Sequence, residues 1–218
     1  MKGLLIKDLK LIKTQKTFLI IVAGICVALL ASGKEMSVVF AYVAAVLSMV
    51  VVSTVSYDEY NNGMSFLFTF PVSRKKYVLE KYVFGILSVA AVLAAGSGLM
   101  GVVSAVKLQS FQQQEWFLAL LGAVLTAVLI LSLYLPVQLK FGAEKGKIVM
   151  FLIIAAVVGL GYAVKEAALV FQVDLSGIME QVMNAGTAQV TAALAALSAL
   201  LMVISYMVSV AVMKRKQF

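Results

Sequence analysis

The sequence contains no histidine, a single cysteine, two prolines and few charged residues. The absence of histidine removes the commonest catalytic base and metal ligand. With Cys26 alone, the chain cannot form an intrachain disulfide. Charged residues make up 13% of the chain and hydrophobic residues 63%, so too few polar side chains exist to cover a water-soluble globule. Together with a mean hydropathy of +1.04, this composition predicts a membrane protein.

Six apolar stretches, each close to the length needed to cross a bilayer, follow one another along the chain. No Asp, Glu, Lys or Arg lies inside any of them. Pro136 is expected to kink or end the fourth one. The predicted fold class is therefore an all-α membrane protein, with residues 1–218 forming one transmembrane domain. Its spans are predicted at 17–33, 37–56, 82–106, 117–139, 148–164 and 189–213.

Lysine and arginine are distributed very unevenly between the segments that connect these spans. The N-terminus, the connectors 57–81 and 140–147, and the tail 214–216 together hold 15 of the 18 Lys and Arg residues. The other three connectors, one of them a tight turn at Gly33–Glu35, hold one each. Because connectors rich in Lys and Arg stay on the cytoplasmic side, both termini are predicted to be cytoplasmic.

Two segments outside the spans are predicted to form helices along the membrane surface. Residues 1–16 carry five Lys and place Leu5, Leu9 and Ile12 on one face, which predicts an amphipathic helix in the membrane interface. The connector 165–188 is largely apolar although it lies between spans five and six. This favours one or two short outer helices, on or dipping into the outer leaflet, over a plain hydrophilic loop.

The spans contain little that could support catalysis or ion-coupled transport. They offer hydroxyl and amide groups, but no base to activate a nucleophile and no ionisable group to relay protons. The segment Gly142–Ile148 differs from a phosphate-binding loop, because three residues rather than four separate its glycines and Ile148 replaces Ser or Thr. The chain is therefore predicted not to be an enzyme, and any energy for transport would come from outside it.

The connector 57–81 is predicted to carry a docking surface for a soluble partner. Asn62 is suited to cap a short helix that begins near Gly63, and Pro71 is expected to end it. Apolar side chains on such a helix would be costly in water unless a partner covered them. These are Met64, Phe66, Leu67 and Phe70.

Ser73 is suited to cap the helix that leads into the third span. The cations Arg74, Lys75, Lys76 and Lys81 that follow are expected at the level of the lipid headgroups. For the lysines, a role as simple topological anchors is as well supported as a role in binding.

The run from Glu59 to Lys81 resembles the cytoplasmic signature of ABC type-2 exporter permeases. The resemblance lies in an acidic residue, a glycine, a short hydrophobic helix and a Thr-x-Pro-Val-Ser-Arg run, here Thr69–Arg74. The chain is similar to small permeases of Gram-positive bacteria, including the exporters of phenol-soluble modulins. Many members have an acidic residue within the short helix, where this chain has Met64-Ser65-Phe66.

The resemblance implies a multi-pass permease of the bacterial plasma membrane that pairs with a second copy or a sister permease. A separate cytoplasmic ABC ATPase would supply ATP and magnesium, so this chain itself would bind no cofactor. ATP-driven movement of the short helix would alternate access to a path for amphipathic peptides or other hydrophobic compounds. The coupling role maps onto Glu59, Asn62, Gly63, Phe66, Leu67, Thr69, Phe70, Pro71 and Arg74.

An alternative from another class is a non-transporting membrane anchor or assembly subunit that recruits a soluble partner. Under both hypotheses the chain contacts the lipid bilayer and a cytoplasmic protein, and neither requires a nucleic acid. They differ in whether any compound crosses the bilayer.

Overall fold

The structure is a computed structural model, and it describes residues 2–107, 113–170 and 187–216. Within these ranges the chain forms seven α-helices and one 3-10 turn, Tyr60–Asn62, and no strand. The predicted all-α class is therefore confirmed for this part of the chain. The helices are α1 (Lys2–Thr14), α2 (Lys16–Ala31), α3 (Met36–Glu59), α4 (Gly63–Leu67), α5 (Arg74–Lys107), α6 (Gln113–Val170) and α7 (Thr187–Arg215).

Four helical segments in the described ranges are long and apolar enough to cross a membrane, where the sequence predicted six. A fifth is obtained if α1 and α2, which are bent by 69° across Gln15, together form one span. Helix α2 alone has 16 residues, or about 24 Å, which is less than a hydrocarbon core of about 30 Å. The four segments are Met36–Glu59, Arg74–Gly98, Trp116–Ala156 and Gln189–Arg215.

The longest of these segments contains a sharp break at Gly142, where φ is +76° and ψ is −175°. A Cβ atom placed on Gly146 would lie 3.6 Å from the Cα atom of Gln138. Eight residues of a straight helix would span about 12 Å, so the chain folds back on itself here. The reversal lies within the predicted connector 140–147, but a single non-helical residue, Gly142, makes the turn where a longer loop was expected. Pro136 does not end the helix, which continues through it to Gly142.

Other boundaries agree with the sequence or extend beyond it. The main-chain N–H of Lys76 donates to Ser73 Oγ at 3.3 Å, which confirms Ser73 as the cap of α5. The tight turn after α2 is confirmed by a bond from Gly33 N–H to the carbonyl oxygen of Leu30 at 3.2 Å. Helix α6 continues to Val170, past the predicted end of the fifth span. The predicted outer helices fall mainly on residues 171–186, which lie outside the described residues.

Helix α3 packs against α5 and α6, and two clusters of buried side chains join them. The first cluster lies near the C-terminal end of α3 and includes Val55, Tyr77 and Leu135. The second lies near its N-terminal end, where Phe40 meets Trp116 with ring centroids 5.5 Å apart. Alanines on α3 and α6 in this second cluster allow close helix approach. They are Ala44, Ala119, Ala123 and Ala127.

The outward faces of α6 and α7 are apolar over much of their length. Phe151, Met207 and Val203 are all more than half exposed. Soluble monomeric proteins rarely expose contiguous apolar surface of this extent. The described helices therefore belong to a multi-pass membrane protein whose apolar faces meet lipid or other apolar partners.

The segments with the highest density of Lys and Arg meet at one end of the bundle. Lys7 of α1 reaches Asp58, Lys216 of the tail reaches Glu59, and Gly142 lies next to Glu59. The turn within α6, the tail, α1 and the segment 60–73 therefore share this end. It is called the loop end below.

Candidate functional site

The short helix α4 begins differently from the sequence prediction. Asn62 stands at its N-cap position but has the left-handed values φ +61° and ψ +23°, and its side chain makes no capping hydrogen bond. The predicted cap is therefore wrong, although Asn tolerates this conformation better than most residues. The next position requires glycine, because a Cβ atom on Gly63 would lie only 2.7 Å from the carbonyl oxygen of Asp58. The segment thus folds tightly back onto the end of α3.

Helix α4 also ends earlier than expected, at Leu67 rather than at Pro71. The N–H groups of Phe68 and Thr69 donate to the carbonyl oxygens of Met64 and Phe66, each at 3.1 Å, and close the last turn. Pro71 instead stands inside a tight turn, in which Val72 N–H donates to the carbonyl oxygen of Phe70 at 2.6 Å. The proline directs the chain toward α5 and does not stop α4.

The apolar residues of this segment divide between two faces. Met64 is 3% exposed, and Leu67 packs against the first core cluster together with Phe68. Phe66 and Phe70 are 68% and 53% exposed, and their rings contact each other edge to face with centroids 5.3 Å apart. One face therefore anchors the segment to the bundle, while the other presents an aromatic pair outward.

Beneath this segment lies a buried network of charged groups centred on Asp58. Lys7 donates to Asp58 Oδ1, and the Lys81 ammonium lies 2.9 Å from Asp58 Oδ2. The Tyr77 hydroxyl also donates to Asp58 Oδ2, at 2.9 Å. Asp58 lies in the last turn of α3, and Lys81 lies near the start of α5. The network therefore joins the two ends of the segment that contains α4.

Helix α1 contributes a second carboxylate to the same network. Asp8 and Lys81 are both fully buried, and their charged atoms lie 2.5 Å apart. The Lys81 ammonium also donates to the Thr54 hydroxyl at 2.8 Å. Lys81, which was expected at headgroup level, therefore has its charge paired inside the protein and does not face the lipid. Of the predicted apolar face of α1, Leu5 and Ile12 pack against the first core cluster, but Leu9 is 49% exposed, and Leu4 and Asp8 are buried instead.

The network holds two cations and two anions, so its charges balance. Partial burial lowers the pKa of the Lys7 ammonium, but the neighbouring carboxylates of Asp58 and Asp8 offset this and raise it above its usual value. Glu80 lies close by, fully buried, and neither of its carboxylate oxygens has a hydrogen-bond partner among the described residues. Removing one member of a buried ion pair typically costs about 3–5 kcal/mol, so the balanced network stabilises the position of α1.

The C-terminal tail is tied to the same end of the bundle. Lys216 donates to Glu59, and also to the carbonyl oxygen of Leu139 at 3.0 Å. Arg74 donates to the carbonyl oxygens of Met213 and Lys214, at 3.2 and 2.7 Å. A cation at the C-terminal end of a helix compensates its unpaired carbonyls and its dipole. The first residue of α5 therefore holds the last turn of α7.

The nine residues proposed for coupling occupy different positions in this arrangement. Five of them are exposed: Asn62, Phe66, Thr69, Phe70 and Pro71. Gly63 and Leu67 are partly buried, and Glu59 and Arg74 bond to the tail.

Sequence reasoning missed Asp8 and Tyr77, which lie in the buried network. The signal for Asp8 was available, because it is the one acidic residue among the five lysines of residues 1–16. In the described ranges, no group of three or more Cys, Asp or Glu is arranged to hold a metal ion.

A family model described as ABC-2 family transporter protein matches residues 3–214, which is nearly the whole chain. The chain belongs to this family. It is therefore a membrane permease component of an ABC transporter, and members of this family work with an ABC ATPase. No match to the chain was found among curated proteins or among solved structures. The ABC-2 resemblance is thus confirmed at the level of the family, while the closer resemblance to exporters of phenol-soluble modulins stays a prediction.

Proposed function

We propose that this ABC-2 permease moves amphipathic peptides or other hydrophobic compounds out of a bacterial cell. An ABC ATPase would dock on the segment Asn62–Pro71, and ATP and magnesium would bind to that ATPase. The observation that carries the proposal is the outward-facing pair Phe66 and Phe70, which are 68% and 53% exposed. Aromatic side chains of this kind are typical anchors in protein interfaces.

The attachment of the segment to the bundle supports a role in transmitting force. Asp58 and Lys81 tie its two ends together, and Lys7 adds α1 to the same group. A displacement of α4 would therefore move the ends of α3 and α5 as one body. Interactions of this strength resist local unfolding better than isolated surface pairs, which contribute about 0–1 kcal/mol.

The proposed topology has six spans, with both termini and the loop end in the cytoplasm. The break at Gly142 supports it, because it divides a segment of 41 residues, about 60 Å of helix, into two arms. The excess of Lys and Arg at the loop end supports the orientation. A second copy, or a sister permease, would complete the path across the bilayer.

The proposal is tested by reconstituting the chain with its ABC ATPase in vesicles. Phe66→Asp and Phe70→Asp are each expected to remove most of the stimulation of ATP hydrolysis and of export, with membrane insertion unchanged. The matched variants Phe66→Leu and Phe70→Leu keep an apolar side chain and should retain most of the activity. Normal ATP-dependent export by both Asp variants would contradict docking through this segment.

The same assay separates a permease from a membrane anchor. A permease requires both faster ATP hydrolysis and passage of a labelled amphipathic peptide across the vesicle membrane. If the ATPase binds through Phe66 and Phe70 but no peptide or lipid-like compound crosses, the chain acts as an anchor or assembly subunit.

A further inference from the structure

We infer that the partner ATPase uses a second contact on this chain, in which one of its acidic side chains enters a pocket beside α4 and pairs with Lys140. The inference rests on the proposed function, since it concerns the same partner. The pocket has a volume of about 440 Å³ and lies at the loop end. It is called the hairpin pocket here, and its walls come from the end of α3, from α4, from the turn at Gly142 and from the tail.

The walls of the hairpin pocket are held in place by contacts between segments that are distant in the sequence. Lys216 bridges the Glu59 carboxylate and the carbonyl oxygen of Leu139. A Cβ placed on Gly142 would lie 3.2 Å from Glu59 Oε2, so the turn of α6 sits directly against that carboxylate. The pocket is thus a product of the folded chain, shaped before any partner arrives.

Among the charged residues that line the hairpin pocket, Lys140 is the one cation without a carboxylate partner in the part of the chain that the structure describes. Glu59 and Lys216 neutralise each other. The Lys140 ammonium lies 5.0 Å from the centre of the Phe141 ring, and no carboxylate in the described ranges forms an ion pair with it. The adjoining segments 140–147 and 214–216 contain six Lys or Arg residues and one acid. A carboxylate is therefore the complementary group for this recess.

The position of the hairpin pocket favours the ATPase as the source of that carboxylate. Met64 and Ser65 of α4 line the pocket, and the next residue is the exposed Phe66. A protein surface that covers Phe66 and Phe70 would close the mouth of the pocket and shield the new ion pair from water. Because water exclusion strengthens such pairs, Lys140 would add both affinity and a fixed orientation to docking.

The test measures binding of the full-length chain, in lipid nanodiscs, to its ABC ATPase at low and at high salt. Lys140→Glu is expected to raise the dissociation constant about tenfold or more at low salt, and Lys140→Gln somewhat less. Both should flatten the salt dependence, because one ion pair is lost. Lys145→Glu and Lys145→Gln are the matched controls, since Lys145 is an exposed lysine of the same turn that does not line the pocket.

Each outcome either supports or contradicts the proposed contact at Lys140. Equal effects of the Lys140 and Lys145 variants would mean that the ATPase responds only to the overall positive charge of this turn, and would contradict the specific contact in the pocket. An effect seen only in nanodiscs with anionic lipid, and absent in neutral ones, would assign Lys140 to headgroups and also overturn it. Unchanged binding by both Lys140 variants, with binding lost in Phe66→Asp, would overturn the pocket alone. Unchanged binding by Phe66→Asp, with weaker binding by Lys140→Glu, would support the contact at Lys140 and contradict docking through α4.

Discussion

The carboxylate of Asp58 and the ammonium of Lys81 lie 2.9 Å apart and join the last turn of α3 to the start of α5. The chain between them contains α4 and the exposed aromatic pair, so this one ion pair closes the base of the proposed docking segment. Because Lys81 also bonds to Asp8 and Thr54, the base is shared with α1. Substitutions at this base should therefore act on folding and on coupling together.

Asp58→Asn is expected to destabilise the protein strongly. It leaves two cations, Lys7 and Lys81, with a single carboxylate, which should cost about 3–5 kcal/mol and lower the midpoint of thermal unfolding in detergent. Glu80→Gln is the matched control, since it makes the same change of carboxyl to amide in a buried side chain whose oxygens bond to nothing in the described ranges. It should be neutral or stabilising. Equal midpoints for the two variants would refute the structural role of the network.

Gly142→Ala is expected to weaken the turn within α6. At its φ of +76° and ψ of −175°, a non-glycine residue is strained by about 1–3 kcal/mol, and the added Cβ would press on the Glu59 carboxylate at 3.2 Å. Gly122→Ala lies in the same helix with nothing within 4 Å of the new atom, so it should be neutral or stabilising by about 1 kcal/mol. Thermal unfolding of both variants checks this, and a stable Gly142→Ala protein would argue against the sharp turn.

Lys216→Ala is expected to release the tail from the loop end. The variant loses the ion pair with Glu59 and the bond to the Leu139 carbonyl oxygen, which together should contribute about 1–2 kcal/mol in this partly exposed site. Hydrogen exchange should become faster in the last turn of α7 and around Gly142. Lys214→Ala keeps the main-chain carbonyl that Arg74 contacts and should leave exchange unchanged. Identical exchange in the two variants would count against the tail contact.

Gly63→Ala is expected to impair ATPase binding more than it impairs overall stability. The new Cβ would lie 2.7 Å from a main-chain oxygen of Asp58, so the short segment must shift outward to accommodate it. Overpacking of this kind costs about 1–3 kcal/mol, and here the strain falls on the segment that carries the aromatic pair. Binding to the ATPase should weaken several-fold, while Gly122→Ala, the same substitution outside this segment, should have little effect. Unchanged binding by Gly63→Ala would show that the exact position of α4 is unimportant for docking.

Much of the structure of the proposed docking segment could be predicted because its signals are local. A glycine, a short apolar run, a proline and a capping serine follow one another within Gly63–Ser73. Two details failed. The Asn62 cap failed because tight packing of Gly63 against the carbonyl of Asp58 set the backbone there. The predicted end at Pro71 failed because the N–H groups of Phe68 and Thr69 close the last turn of α4 earlier. Local propensity does not include a neighbour that approaches from the preceding helix.

The count of spans was harder to predict for a physical reason. Hydropathy detects the length of apolar runs, and the charged residues within 140–147 divide the apolar sequence of α6 into two runs. The sequence therefore predicted two spans with a loop between them. Helix propensity in those residues is nevertheless high enough for the helix to continue to a single glycine. A single glycine with positive φ, Gly142, therefore reverses the chain where a loop was expected.

The sequence by itself determined that this chain is an α-helical membrane protein and that its most informative segment lies between Tyr57 and Lys81, because composition, apolar run length and turn residues are properties of neighbours along the chain. Only the tertiary structure decided which charges face inward. Lys81 and Asp8 are 73 residues apart and both appeared to belong to a surface, yet they are paired and fully buried. A buried charge is stable only with its partner in place, and that partner is brought by packing between α1, α3 and α5.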